Sequence, residues 1–256
     1  MIKIDTYAYG SQLKRIDPLQ KFLFATITLG VCLWADTIVI SIAVLFIMGW
    51  VTIRMGRTPI LLFLKLLLIP MSFLMIGVVT IVINFSSNTH GFLFSLPIAS
   101  SWIGVSKAGI VEATQLFFRV LGSVSCLYFL SLSTPIVDLL SVLRKLKVPQ
   151  LMVEMMGLVY RYIFVLLDTA NTMFIAQSSR HGYVNVITGY RSLGALASTV
   201  FIRAYKRSND LYTALEARGY EGELSVFEEP FETHYAIYLA IAGINTLLIV
   251  VALFLK

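Results

Sequence analysis

The chain has 256 residues, of which 58% are hydrophobic and only 13% are charged, whereas about 25% of the residues of a typical soluble domain are charged. This composition excludes a soluble globular protein and indicates one that lipid surrounds, because the apolar residues are gathered into long runs. The formal net charge is +6. We attribute the basic residues to membrane topology and not to nucleic-acid binding, since they lie beside the apolar runs.

Five apolar stretches are long enough to cross a bilayer, for which a helix needs about 20 apolar residues. The first two are short and are joined by a turn at Ala35-Asp36. The stretches cover residues 19–35, 37–53, 60–84, 108–132 and 235–255. They predict an all-α polytopic membrane protein with five transmembrane helices. Pro70, inside the third stretch, removes a hydrogen-bond donor and should leave a carbonyl that a neighbouring helix must shelter.

The distribution of Lys and Arg predicts the orientation of the chain. Ten of them fall between Arg144 and Arg218, whereas the loop 85–107 carries only Lys107 at its edge. Basic residues concentrate on the cytoplasmic side of membrane proteins, so the N-terminus and the segment 133–234 are predicted to be cytoplasmic. The predicted domains are residues 1–132 with the first four spans, a cytoplasmic helical insert at 133–234, and the last span at 235–256.

The cytoplasmic insert is predicted to contain three helices. The first opens at Thr134-Pro135, ends near Pro149, and has the amphipathic pattern of a helix that lies along a membrane surface. The second runs from Gln150 to about Arg180, and the third covers about 191–218. Residues 134–220 carry ten basic and five acidic side chains. Such a surface suits an acidic cytoplasmic partner or anionic lipid, and composition does not choose between them.

The second helix of the insert is apolar enough in its first half to resemble a membrane span. Glu154, Arg161 and Asp168 are spaced seven residues apart and therefore lie on one stripe of the helix. A span would carry these three charges through lipid at a cost of several kcal/mol. We therefore interpret this segment as an amphipathic helix outside the bilayer.

The second and third helices of the insert end in a similar way. The endings read Ala176-Gln177-Ser178-Ser179-Arg180-His181-Gly182 and Ala214-Leu215-Glu216-Ala217-Arg218-Gly219-Tyr220. Glycine after the last turn stops a helix, and arginine there neutralises exposed carbonyls, so each ending alone is typical of an ordinary helix C-terminus. Two such endings, 38 residues apart, also present two guanidinium groups that can bind carboxylates of a partner.

Two charged residues lie inside the fourth apolar stretch, and charges within a span are candidates for function. Glu112 and Arg119 are seven residues apart and share one face of the predicted helix. Glu112 is near the end of the span, whereas Arg119 lies deeper and is predicted to face the bundle interior, a partner subunit or a transport path.

The sequence contains no motif for catalysis or metal binding that the chain could complete alone. No phosphate-binding loop of the form G-x-x-x-x-G-K-[ST] is present. His90, His181 and His234 are scattered singly and form no ligand spacing with the cysteines, so we predict no metal site. Cys32 and Cys126 lie in apolar runs and are interpreted as small core residues.

The whole pattern resembles the CbiQ group, the transmembrane T component of energy-coupling-factor (ECF) transporters for cobalt or nickel. The N-terminal segments that carry the resemblance are Ile4-Asp5-Thr6-Tyr7-Ala8-Tyr9, Leu13-Lys14-Arg15-Ile16-Asp17-Pro18 and Lys21. The paired arginine endings match T components in general, and the resemblance extends over almost the whole chain.

The resemblance implies a component that neither hydrolyses ATP nor selects the substrate alone. Two long coupling helices would dock through their arginine-bearing ends on two ABC-type, CbiO-like ATPase subunits. A CbiM-like membrane subunit, with or without a small CbiN-like one, would capture the metal ion. This chain would bind no cofactor, because ATP and Mg would be bound by the ATPase subunits. It would lie in the prokaryotic cytoplasmic (inner) membrane.

Carried over to this sequence, the resemblance makes Arg180 and Arg218 the two docking arginines. Their small neighbours would be Ser179 and Gly182 at the first ending, and Ala217 and Gly219 at the second. The first ending departs from the Ala-Arg-Gly form that the family shows, because His181 stands between the arginine and the glycine.

Two other functions are compatible with a polytopic membrane protein. A self-contained channel or secondary carrier would need a polar path through its own spans, and only Arg119 and Glu112 offer one. An intramembrane enzyme would need paired acids or histidines at membrane depth, and none is apparent in the sequence. Either protein would act without partner ATPases, unlike a T component.

Overall fold

The computed structural model describes residues 4–86, 92–98, 101–220, 231 and 235–255. Within these ranges, helices dominate the chain. The helices are α1 (Ile4–Gly10), α2 (Pro18–Ala35), α3 (Ile38–Trp50), α4 (Ile60–Val82), α5 (Lys107–Ser133), α6 (Ile136–Lys145), α7 (Gln150–Ser179), α8 (Val186–Glu216) and α9 (Tyr235–Leu255). A short 3₁₀ helix, Gln12–Arg15, precedes α2, and a π-helical turn, Val51–Met55, extends α3.

The predicted class, an all-α polytopic membrane protein, is confirmed, and the five predicted spans agree with α2, α3 with its π-helical extension, α4, α5 and α9 to within two residues. The count of spans differs. Among the residues that the structure describes, six helices are long and apolar enough to cross a membrane, and the additional one is α7. The first 18 residues of α7 contain only two charged side chains, Glu154 and Arg161, among mostly apolar residues, so length and composition alone allow this helix to cross a membrane. The position of α7 outside the bilayer stays a prediction.

A small antiparallel sheet lies between α4 and α5, where the sequence indicated only a loop. Its strands are β1 (Ile83–Ser86), β2 (Phe92–Ile98) and β3 (Ser101–Ser106), with β3 in the centre. Ile83 pairs with Val105, and a bulge lies between Phe92 and Phe94. The segment is rich in β-branched and aromatic residues, which favour strands.

The core of the helical bundle is formed by α2, α3, α5 and α9. Phe24 and Phe129 meet edge to face with ring centroids 5.5 Å apart, a favourable aromatic geometry. Cys32 and Cys126 are free and buried in this core, which confirms their interpretation as core residues. Gly122 allows close helix packing, since a Cβ atom there would lie 2.9 Å from the Ser41 carbonyl oxygen.

The proline inside α4 has the neighbouring partner that its position requires. Pro70 has no N–H group, so the carbonyl of Leu66, four residues earlier, loses its helical donor. The hydroxyl of Tyr128, on α5, donates a hydrogen bond of 2.9 Å to this carbonyl. Helix α4 therefore continues through Pro70 while a side chain of α5 satisfies the freed backbone oxygen.

The chain divides into two compact units, and the boundary falls inside α6. The first unit contains residues 1–142 and 230–256, and the second contains residues 143–229. The first holds the helical bundle, and the second holds α7 and α8. The three domains drawn from the sequence, with limits at 132 and 234, stay a prediction.

Candidate functional site

The end of α7 forms a Schellman motif, in which two backbone hydrogen bonds close the last turn of a helix. The Gly182 N–H donates to the Gln177 carbonyl at 2.9 Å, and the His181 N–H donates to the Ser178 carbonyl at 3.1 Å. His181 adopts the left-handed conformation, with φ of 59°. Arg180 immediately precedes this residue and is exposed.

The end of α8 has the same two backbone hydrogen bonds. The Tyr220 N–H donates to the Leu215 carbonyl at 3.0 Å, and the Gly219 N–H donates to the Glu216 carbonyl at 3.0 Å. Gly219 is the left-handed residue, with φ of 74°. Arg218 immediately precedes it and is exposed.

The two endings are therefore equivalent in backbone structure, although their sequences differ. Each arginine stands one position before the left-handed residue, and its N–H donates to the carbonyl three residues earlier, at 3.1 Å for Arg180 and 3.0 Å for Arg218. His181 occupies the place that Gly219 occupies in the second ending. The departure from Ala-Arg-Gly thus leaves the position of Arg180 unchanged, at the cost of a left-handed conformation that a residue with a Cβ atom tolerates poorly.

The small residues beside the arginines have different roles at the two ends. Ser179, Ala217 and Gly219 are exposed, and space around Gly219 is open. Gly182 is enclosed, because a Cβ atom there would lie 2.8 Å from the Ser192 Oγ and 2.9 Å from the Gln177 carbonyl oxygen. At Gly182 the glycine permits close approach between the end of α7 and the start of α8.

Helices α7 and α8 run antiparallel, with a polar contact at each end of the pair. Near the connecting turn, the Ser192 hydroxyl donates to the Gly182 carbonyl at 2.8 Å, and the Tyr183 hydroxyl donates to the Gln177 side chain at 2.7 Å. At the far end, the Tyr220 hydroxyl lies 3.4 Å from the carboxylate of Glu154. Arg180 and Arg218 therefore lie at opposite ends of the pair. A helix of 30 residues, the length of α7, spans about 45 Å at 1.5 Å per residue.

Glu154 is a structural anchor of this pair rather than a surface charge. Its side chain is only 6% exposed and also accepts a hydrogen bond of 3.0 Å from Gln150 Nε2. The other two charges of the predicted stripe, Arg161 and Asp168, are exposed. The sequence did not reveal this anchor, because its partner Tyr220 lies 66 residues away.

The exposed surface near the second arginine carries charge of both signs. Tyr212 is hydrogen-bonded to Glu216, one turn further along α8, and this hydrogen bond together with the Glu216 charge raises the pKa of the Tyr212 phenol. Within the described part of the chain, neither the Arg180 nor the Arg218 guanidinium forms an ion pair or a hydrogen bond.

The two charged residues of the fourth span, Glu112 and Arg119, have different surroundings. Arg119 forms an ion pair of 2.9 Å with Asp36 in the turn between α2 and α3, and donates to the Leu33 carbonyl at 2.6 Å. Gln115 donates to the Asp36 side chain at 3.0 Å. Glu112 is exposed and lies outside this cluster. Arg119 thus binds a carbonyl in the last turn of α2, and the sequence did not predict this contact.

The described residues contain no group of three or more His, Cys, Asp or Glu side chains that could hold a metal ion. His181 belongs to the end of α7, as above, whereas His90 and His234 lie outside the described residues. The structure therefore offers no metal centre to test among the residues that it describes.

The buried N-terminal lysine was not a predicted site residue. Lys21 is only 3% exposed, and its Nζ atom donates to the carbonyls of Leu13 at 3.1 Å and Ser133 at 3.2 Å. A lysine three residues after the start of an apolar helix is a weak sign of a buried contact. The sequence could not show its partner, because Ser133 lies 112 residues away.

Comparison with known proteins places these features in a family. The family model described as cobalt transport protein, CbiQ, matches residues 10–227. The chain belongs to the CbiQ family. Both arginine endings and the buried Lys21 lie within the matched residues. The CbiQ chain described here is accordingly a multi-pass membrane component of a transport system and not a catalytic enzyme.

Three relatives illustrate the range of the CbiQ family. The cobalt transport protein CbiQ of Salmonella typhimurium is 30% identical over 223 residues, which cover 87% of this chain and 99% of that protein. A putative fused cobalt transport protein CbiMQ of Methanocorpusculum labreanum is 28% identical over 96% of this chain and 41% of its own length. The energy-coupling factor transporter transmembrane protein EcfT of Staphylococcus aureus is 28% identical over 84% of this chain and 82% of that protein.

Proposed function

We propose that the chain is the transmembrane coupling component of an ECF-type importer of divalent cobalt or nickel ions. In this function it transmits the conformational change of ATPase subunits to a substrate-binding membrane subunit. The observation that carries the proposal is the equivalence of the Arg180 and Arg218 helix ends at opposite ends of one antiparallel pair. The names of the CbiQ and EcfT relatives support the same type of transporter.

Two equivalent arginines suit two equivalent partner sites. Each guanidinium is exposed at a helix end whose backbone bonds are already closed, so it is available to bind carboxylates bidentately. Because the ends are separated by about the length of a 30-residue helix, one small acidic site cannot bind both. The proposed partners are two ABC-type, CbiO-like ATPase subunits, each receiving one arginine.

The α7–α8 pair provides the stiffness that transmission requires. Hydrogen bonds join the helices at the connecting turn and, through Tyr220 and Glu154, at the far end. When the two ATPase subunits close on ATP, the docked ends follow as parts of one hairpin, which is a rigid-body mode of coupling. In this proposal ATP and Mg are bound by the ATPase subunits, and the chain itself binds no cofactor.

The remaining partner is the membrane subunit that captures the metal ion. The fused CbiMQ relative supports a CbiM-like subunit beside this chain, with or without a CbiN-like one. The proposed location is the prokaryotic inner membrane, with a cytoplasmic N-terminus and with α7 and α8 on the cytoplasmic side, where anionic lipid also meets the basic surface.

Charge reversal at the two arginines tests the proposal. The detergent-solubilised complex is purified through a tag on this chain, and the co-purified ATPase is quantified for wild type, Arg180→Glu, Arg218→Glu and the double variant. Each single change is expected to lower ATPase retention, and the double change to abolish it, because a carboxylate repels the acidic partner site.

The matched control is Arg207→Glu, which makes the same charge change at an exposed position of α8 away from the helix end. It is expected to retain the ATPase. Full retention in the double variant would overturn the docking assignment and leave both arginines as ordinary helix ends. A self-contained channel or carrier would instead show ion transport by the purified chain alone in liposomes.

A further inference from the structure

We propose that Lys21 is a positioning residue that fixes the start of α6 on the helical bundle and thereby couples the α7–α8 pair to the spans. This inference rests on the proposed function and names the residue that links its two halves. It gives a role to the N-terminal segment, whose contacts the docking proposal does not use.

The ammonium group of Lys21 joins three parts of the chain. It donates to the Leu13 carbonyl, in the 3₁₀ helix that precedes α2, and to the Ser133 carbonyl, which is the last residue of α5. The carbonyls of the last turn of a helix have no partner within the helix, and a cation there also complements the helix dipole. Lys21 therefore ties the N-terminal segment to the C-terminal end of α5.

Two carboxylates contribute an electrostatic attraction to Lys21. Asp138, in the first turn of α6, and Asp17, the N-cap residue of α2, both attract the Lys21 ammonium group. Asp17 is 2% exposed and accepts the Leu19 N–H at 3.0 Å. The lysine thus binds the end of α5 through the Ser133 carbonyl and is attracted to the first turn of α6 by the charge of Asp138.

The junction between α5 and α6 leads directly to the second unit. The Thr134 N–H donates to the Leu130 carbonyl, and the Asp138 N–H donates to the Pro135 carbonyl, so one helix follows the other within two residues. The boundary between the two units falls later in α6, after residue 142. A group that holds the first turn of α6 therefore holds the element through which the bundle continues into the α7–α8 unit.

Packing alone does not require a charged residue at this buried position. Burial of an ammonium group is costly unless it is paired and hydrogen-bonded, and an apolar residue of similar volume often gives equal or greater stability. The charge instead constrains geometry, because its hydrogen bonds hold the Leu13 and Ser133 carbonyls around one ammonium group, and Ser133 lies three residues before the start of α6. A fixed position of the start of α6 would allow movement of the α7–α8 pair to be transmitted to the membrane helices.

The test compares ATP hydrolysis with ion uptake by the assembled transporter in proteoliposomes, using cobalt as the ion. Lys21→Met keeps the volume and removes the charge. We expect the ATPase subunits to stay bound and ATP to be hydrolysed, while the number of ions transported per ATP falls at least about fivefold, the lower range of coupling between distant sites. Lys21→Arg, which retains the charge, should restore part of the ratio.

Lys14→Met is the matched control, since Lys14 contacts the Tyr9 ring within the N-terminal segment. It should leave the ratio of ions to ATP unchanged. If Lys21→Met does not accumulate, Asp138→Asn decides the matter, because it weakens the same attraction without removing the hydrogen bonds of Lys21. A residue that serves folding alone would lower the amount of complex and leave the ratio unchanged.

An unchanged ratio in Lys21→Met would overturn the inference, as would an unchanged ratio in Asp138→Asn if Lys21→Met does not accumulate. This result differs from failure of the docking proposal, in which the ATPase subunits stay bound when Arg180 and Arg218 are both reversed in charge. The two proposals therefore fail on separate measurements, one of transport per ATP and the other of ATPase retention.

Discussion

Arg180 and Arg218 each stand immediately before the one left-handed residue that ends their helix, and the same set of backbone hydrogen bonds surrounds both. The two exposed arginines therefore have the same local backbone conformation at opposite ends of the α7–α8 pair. Because backbone hydrogen bonds define this conformation, it does not depend on which small residues lie beside the arginines. This backbone geometry is the basis of the docking proposal.

The left-handed residues provide the first prediction. Gly219→Ala should destabilise the end of α8 by about 1 kcal/mol, since an L-residue with a Cβ atom is disfavoured in this conformation. His181→Gly should instead stabilise the end of α7 by roughly 0.5 kcal/mol, because the relief of backbone strain in the folded state exceeds the cost of the added freedom of the unfolded chain. Hydrogen–deuterium exchange of the last helical turns measures both. Equal effects of the same sign would contradict the assignment of His181 as the left-handed residue.

The enclosed glycine provides the second prediction. Gly182→Ala should loosen the turn between α7 and α8, since its Cβ atom would lie 2.8 Å from the Ser192 Oγ, and overpacking costs about 1–3 kcal/mol. Faster proteolysis of the turn is the expected observation. The control is Gly194→Ala, in α8, where a Cβ atom meets no neighbour within 4 Å. That change should stabilise the helix, because alanine is the better helix former.

The third prediction concerns the hydrogen bond that Tyr128 donates to the Leu66 carbonyl. Tyr128→Phe should destabilise the bundle by about 0.6 kcal/mol, the average for interhelical hydrogen bonds in membranes, and by no more than about 1.7 kcal/mol, the largest such value. In a Pro70→Ala background the same change should cost less, because the substituted alanine supplies a backbone N–H group to the Leu66 carbonyl. A double-mutant cycle on unfolding in detergent measures the coupling. Equal costs in both backgrounds would show that Tyr128 does not act through this carbonyl.

The fourth prediction concerns the ion pair between Arg119 and Asp36. Arg119→Ala and Asp36→Ala should each destabilise the turn between α2 and α3, and the double variant should lose less than the sum. The expected coupling energy is about 0.5–1 kcal/mol, since the pair is partly exposed. Thermal unfolding in detergent measures it. If Arg119→Ala abolishes transport while Asp36→Ala leaves stability and transport intact, Arg119 acts in the transport path and not through this pair.

Hydropathy predicted the membrane helices closely, because the length and composition of a span are local properties. The start of α8 was predicted at about 191, whereas the helix begins at Val186. Two glycines, Gly189 and Gly194, lower the helix propensity of this region. The missed signal was the capping box, in which Asn185 and Thr188 satisfy each other's backbone N–H groups.

The site itself was predictable only in part. The repeated Ala-x-x-x-Arg spacing identified Arg180 and Arg218, but it did not show that His181 takes the place of a glycine. The contacts of Lys21 with Ser133, of Glu154 with Tyr220 and of Arg119 with Asp36 were not predicted. Each joins residues that are far apart in sequence, and periodicity carries no information about such pairs.

The most direct test of the central claim is site-specific photo-cross-linking in the assembled complex. A photoreactive amino acid replaces Ser179, Ala217 or, as the control, Arg207 of α8, so that Arg180 and Arg218 are both retained. We expect cross-links to an ATPase subunit from positions 179 and 217 and none from position 207. Absence of ATPase cross-links from positions 179 and 217, or equal yield from position 207, would contradict docking through the two arginine-bearing helix ends.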